Sequence, residues 1–188
     1  MEVFEVCNEY LSFTANELKR ININSPRFLA VKKGRKKVRS VHRKHLLTWT
    51  ELESKKFMNE AVGRENPLTK IETARKAEAI VKYAKKFYPR ERNLLDSASA
   101  ISEFITGVKI SAQIEKAERE EFNENFKGAI KEYKEALFIL TREQIAKKDK
   151  DILAENINTE IKRIRSLIDI DRIYKRPDRR IKGSKEND

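Results

Sequence analysis

Val3, Phe4, Cys7, Tyr10 and Leu11 fall at i, i+1, i+4, i+7 and i+8, the spacing that gathers apolar side chains on one face of a helix. A first amphipathic helix is therefore expected over residues 2–13, extending toward Leu18. Ser25 and Pro26 then have the form of an N-cap followed by proline at the first helical position, and Gly34 is placed to close a short helix in the left-handed conformation. The same stretch, Phe28 to Val31, a Lys-Lys-Gly-Arg turn, then Val38 and Val41, fits a basic β-hairpin turning at Gly34 equally well. Periodicity leaves both readings open for residues 27–45.

Beyond residue 45 no alternating strand pattern occurs. Thr50 with Glu53, and Thr69 with Glu72, have the spacing of capping boxes, in which the threonine and the glutamate three residues on satisfy each other's orphan amides. The first is expected to open a helix carrying Leu52, Phe57, Met58 and Ala61 and ending near Gly63. The second follows the Asn66-Pro67 break and opens a helix with Ile71, Ala74, Ala77, Ile80, Val81, Ala84 and Phe87 on one stripe, stopped by Pro89. From Asn93 the pattern Leu94, Leu95, Ala98, Ile101, Phe104, Ile105, Val108 predicts another helix. Gly107 marks a kink or interruption before Ile110, Ile114, Ala117 and Phe122 continue. After a turn at 123–125, Phe126 to Leu140 form one helical face. Asp149 or Asp151 caps a last helix lined by Leu153, Ile157, Ile161, Ile164 and Ile168. Their spacing of 4, 4, 3 and 4 departs from a strict heptad and favours a globular bundle over a long coiled coil.

Length and composition narrow this picture to an all-α chain. With 188 residues, 5 glycines, 4 prolines and a single cysteine, collagen-like and disulfide-scaffold classes are excluded. Apolar residues make up 39% and charged residues 38%, which suits helices with wide wetted faces. No apolar run approaches the ~20 residues that span a bilayer, and the acidic opening, Glu2 and Glu5, does not read as a signal peptide. A soluble, cytoplasmic protein is expected. Cys7 lies at helical spacing with apolar neighbours and is expected to be a small buried hydrophobe. Trp49, at the mouth of an apolar helix, is expected in the core, whereas Tyr174 is expected to be exposed. The organisation expected is an N-terminal helix and basic arm over 1–49, an antiparallel helical bundle over 50–170, and a disordered basic tail over 171–188.

Charge changes the functional reading. The net charge is +12, and residues 1–60 carry 13 basic against 7 acidic side chains. Arg27, Lys32, Lys33, Arg35, Lys36, Lys37, Arg39, Arg43 and Lys44 follow one another without an acid, and none occurs between Glu17 and Glu51. Such a segment attracts anions and, on a nucleic acid, binds phosphates with release of condensed counterions.

The succession of aromatic Phe126, Ala129-Ile130, Tyr133 and Ala136-Leu137 resembles the second helix of a tetratricopeptide repeat (TPR), and equally the matching helix of a microtubule-interacting and transport (MIT) domain. In those families small alanines admit the paired helix and the aromatic fills the gap beyond. Ala117, nine residues before Phe126, stands where the first helix of such a hairpin places a small residue. The resemblance implies a three-helix unit over about 108–168 that docks a protein partner. Arg39 with His45 also loosely resembles the arginine, short gap, histidine motif of HEPN ribonucleases, in which those two residues carry out RNA cleavage.

No further catalytic set is present in the sequence. His42 and His45 lie inside the basic stretch without a cysteine or Glu-x-x-His partner, so no metal or other cofactor is expected. The expected function is non-enzymatic binding within a nucleoprotein or multiprotein assembly. Phosphate contacts would come from Lys32, Lys33, Arg35, Lys36, Lys37, Arg39, Arg43 and Lys44, and the helical body would meet a protein partner. The alternatives are a protein or peptide adaptor of TPR/MIT type whose basic arm meets an acidic partner, and an HEPN-like ribonuclease.

Overall fold

The computed structural model describes residues 2–142 and 147–174. It contains six helices, α1 (Glu2–Arg20), α2 (Pro26–Val62), α3 (Pro67–Phe87), α4 (Arg92–Phe122), α5 (Phe126–Arg142) and α6 (Lys147–Tyr174), and no strand among the described residues. The all-α class is as expected. The chain divides into two compact units between Ser102 and Glu103.

In the first unit, α1, α2 and α3 pack successively antiparallel. Glu17 pairs with Arg27 at 3.1 Å, Leu11 with Arg35, and the Phe4 ring lies against His42 and Trp49, so partners descend α1 as they ascend α2. Likewise Tyr88 meets His42, Tyr83 meets Trp49 and Lys76 lies over Phe57 along α2 and α3. The seam between α2 and α3 is built from small and hydroxylated residues. From α2 come Thr50, Ser54 and Ala61, and from α3 come Thr73, Ala74, Ala77, Val81 and Ala84, all buried. Short side chains let two helices approach closely, and the buried hydroxyls are satisfied inside their own helices. Thr50 Oγ1 donates to the Leu46 carbonyl at 2.7 Å and Thr73 Oγ1 to the Thr69 carbonyl at 2.8 Å.

These contacts correct several expectations. The helix that starts at the Ser25 cap, whose Oγ accepts from the Arg27 amide, continues for 37 residues. Residues 27–45 are therefore helical, Gly34 closes nothing, and the basic segment is the N-terminal part of α2 rather than a separate arm. Gly34 lies where a Cβ would come within 3.0 Å of the Tyr10 hydroxyl, so it admits α1 instead of ending a helix. Thr50 sits mid-helix, not at a start. At α3 the cap is Asn66, whose Oδ1 accepts from the Leu68 amide at 2.8 Å with Pro67 at the first helical position, and Thr69 is one turn inside. Trp49 and Cys7 are half-buried rather than core.

In the second unit the later part of α4 joins α5 and α6 around Ile110, Ala117, Ala129, Tyr133, Ala136, Leu140, Ile157, Ile161 and Ile164. α4 runs through Gly107 without interruption. Between α4 and α5, Glu124 adopts a left-handed φ of 59°, and Asn125 Oδ1 accepts the Gly128 amide at 3.2 Å to start α5. Arg163 bridges Glu121 and Glu160, each at 2.7 Å. The helix α6 reaches Tyr174, past the expected start of the tail at 171. The remainder of the expected tail, 175–188, and the exposure expected of Tyr174 lie outside the described residues.

Candidate nucleic-acid interface

α2 distributes the nine cations of residues 27–44 around its axis according to the 100° that each residue advances. Lys32, Lys36, Arg39 and Arg43 share one stripe, and Lys33, Lys37 and Lys44 form a second beside it. All seven are exposed. Two of the eight residues expected to contact phosphate are occupied within the fold. Arg35 is half-buried, and its Nη1 donates to the Leu11 carbonyl at 2.5 Å and to Thr14 Oγ1 at 3.2 Å, fastening α1 to α2. Arg43 forks onto Glu91, with Nε to Oε2 at 2.9 Å and Nη2 to Oε1 at 2.9 Å. Lys32 lies 6.0 Å from the centre of the Phe28 ring. Lys32, Lys33, Lys36, Lys37, Arg39 and Lys44 have no carboxylate partner among the described residues.

Arg39 lies between the two occupied arginines at the rim of a cleft of about 520 Å³. The walls are Asn8, Leu11, Ser12 and Ala15 of α1, Arg35, Arg39 and His42 of α2, and Phe87 with Tyr88 at the end of α3. His42 is 1% exposed. Its Nδ1 lies 2.7 Å from the Tyr88 hydroxyl, which also lies 3.3 Å from the Arg39 carbonyl. One phenolic proton cannot serve both acceptors. Either the hydroxyl donates to Nδ1 and Nε2 carries hydrogen, or it donates to the Arg39 carbonyl and accepts from Nδ1–H, leaving a lone pair on Nε2. In both cases Nε2 is buried without a hydrogen-bond partner among the described residues. Burial lowers the His42 pKa from its ordinary 6.5, so the imidazole is neutral at pH 7. Burial raises the Tyr88 pKa, against the opposing pull of Arg39 and Arg43.

No protein-family model, no curated protein sequence and no solved structure matches the chain. The site therefore stands on its own geometry.

Arg39 and His45, the pair that resembles the HEPN motif, are six residues apart on one continuous helix and so diverge by about 120° around it. His42, three residues from Arg39, shares the cleft with it instead. No group of three or more histidine, cysteine or acidic side chains is placed to hold a metal among the described residues, and none of their helices is long and apolar enough to cross a membrane.

A second cleft, of about 470 Å³ and opposite sign, lies in the second unit beside Tyr133, with Glu118, Glu121, Glu160 and Arg163 on its walls. Burial raises the Tyr133 pKa and Glu118, Glu160 and Glu121 raise it further, against Arg163. Nearby, Phe122 is 89% exposed at the end of α4.

Proposed function

We propose that the chain is a non-enzymatic, cytoplasmic nucleic-acid-binding protein that works as a subunit of a nucleoprotein or multiprotein assembly. The observation that carries this reading is the row of five exposed lysines on α2, Lys32, Lys33, Lys36, Lys37 and Lys44, with no acid between Glu17 and Glu51 to neutralise them. A rigid helix that offers cations on two adjacent stripes can follow a phosphate backbone, giving affinity without base readout. Arg39 joins this row, whereas Arg35 and Arg43 shape the fold beneath it.

The second unit is the surface for a protein partner in this reading, as the TPR/MIT resemblance of residues 126–139 implies. Phe122 supports it, because a ring 89% exposed packs little against the described residues.

Fluorescence anisotropy with labelled single- and double-stranded RNA and DNA tests the reading. Five lysine–phosphate contacts on a single strand give a log–log salt slope near −3.5, so raising salt from about 50 to 200 mM should weaken binding about 100-fold. The variant Lys32→Gln/Lys33→Gln/Lys36→Gln/Lys37→Gln should lose most of that affinity and most of the slope. Absence of binding at low salt would discard the nucleic-acid reading and leave a protein adaptor.

A further inference from the structure

We infer that the cleft between α1 and α2, closed at one end by Phe87 and Tyr88, is a binding site for a nucleoside monophosphate, either free or as the phosphorylated end of an RNA chain. The inference does not depend on the lysine row, because only Arg39 belongs to both.

Three features of the cleft match the three parts of such a ligand. For the phosphate, the walls supply one uncommitted guanidinium, Arg39, backed by the positive charge of Arg35, and no carboxylate. The Arg39 side chain has no hydrogen-bond or ion-pair partner among the described residues, whereas Arg35 commits Nη1 to Leu11 and Thr14 of α1, so Arg39 grips the anion and Arg35 adds charge behind it. A phosphate seated on a planar guanidinium gains paired charge-assisted hydrogen bonds. For the base, Phe87 on the cleft wall is 39% exposed, its ring meeting His42 and Tyr83 in edge-type contacts, and an exposed aromatic ring is a surface on which a nucleobase can stack. For the sugar and the base edges, Asn8 and Ser12 place an amide and a hydroxyl on the facing wall. The volume of about 520 Å³ falls within the ~300–1,000 Å³ of small-molecule sites.

His42 is a positioning residue in this site. Held neutral by burial, it adds no charge to the anion subsite. Its Nδ1 fixes the Tyr88 hydroxyl, and with it the ring beside Phe87, at the cost of an Nε2 without a hydrogen-bond partner among the described residues. An apolar residue would fill the same space without that orphan atom but would leave Tyr88 unfastened.

Isothermal titration calorimetry with adenosine 5′-monophosphate, adenosine and inorganic phosphate tests the assignment on the full chain. The monophosphate should bind at least about tenfold more tightly than either fragment. Replacement of Arg39 by alanine should weaken it about tenfold or more, as loss of a charge-assisted pair does. Ser12→Trp, which fills the cleft from the opposite helix at an exposed position, should abolish binding, whereas Lys33→Gln and Lys37→Gln, on the other stripe, should leave it unchanged. Arg39 is exposed, so its loss leaves the fold intact, and circular dichroism of both variants checks that.

On the quadruple lysine variant, which no longer holds RNA through the row, competition by a 5′-phosphorylated RNA decamer but not by its 5′-hydroxyl form identifies a chain end as the source, and competition by the free nucleotide alone identifies a metabolite. Either result supports the site. Equal binding of phosphate and nucleotide, or nucleotide binding that survives both Arg39→Ala and Ser12→Trp, overturns it. The quadruple lysine variant separates the two readings, because it should lose RNA affinity and keep the nucleotide.

Discussion

Tyr88, the first residue beyond α3, places its hydroxyl 2.7 Å from Nδ1 of His42, a residue 1% exposed on α2. The bond ties the end of one helix to the middle of another and makes the protonation of a single imidazole a condition of packing in the first unit.

Stability should therefore fall in mild acid. The His42 pKa is lowered by burial below 6.5, so the unfolded chain takes up the proton first. The contribution is fully present above the unfolded value of about 6.5 and is lost as pH falls through the folded value. Urea unfolding at pH 7.5 and pH 5.0 should give a larger loss for the native chain than for His42→Phe, since effects of the carboxylates are common to both. Equal losses would remove His42 as the cause.

Tyr88→Phe keeps the ring and removes the hydroxyl that serves both Nδ1 and the Arg39 carbonyl. Urea denaturation at neutral pH should register a loss of about 1–3 kcal/mol, the cost of leaving a buried partner unsatisfied.

Arg43 and Lys44 are neighbours in sequence with different duties. The Arg43 guanidinium is engaged by Glu91, while Lys44 has no acidic partner among the described residues. Anisotropy titrations with single-stranded RNA should show Lys44→Gln weakening binding more than Arg43→Gln. A double-mutant cycle of Arg43 with Glu91 should return a coupling of at most about 1 kcal/mol, because Arg43 is 54% exposed.

Glu124 holds φ at 59°, where its Cβ crowds the following carbonyl oxygen. Glu124→Gly should stabilise the chain by roughly 1 kcal/mol in chemical denaturation, because glycine reaches this conformation without steric cost. A destabilisation would mean that the Glu124 side chain contributes more than its backbone costs.

The helical class, the Ser25 cap and the stripes of α5 and α6 were legible because each rests on local periodicity or on one cap. The internal boundaries were not. Thr50 with Glu53 has the spacing of a capping box, but the same two residues lie one turn apart in the middle of any helix. There the Thr50 hydroxyl turns back to the Leu46 carbonyl, and nothing local distinguishes the two cases. Asn66 with Pro67 was the true signal for α3, and it stood three residues before Thr69. The cleft was half legible. Its arginines were conspicuous, but His42 was hidden among cations although it begins the buried series His42, Leu46, Thr50, Ser54 at four-residue intervals. Tyr88 lies beyond the end of the α3 stripe and reaches His42 from 46 positions away, a relationship no local pattern encodes.

The unbroken course of α2 from Pro26 to Val62 has a consequence for anyone dividing this protein. Its first half is clasped by α1 and its second half by α3, so the helix is a common spine for two hairpins. A graft or deletion joined near residue 49 would cut through that spine, strip Phe4 and Tyr83 of the Trp49 ring they share, and yield two fragments each lacking half a scaffold. Cuts in the turn at residues 21–25 or in the connection at residues 63–66 respect the architecture and leave the remaining helices with intact ends.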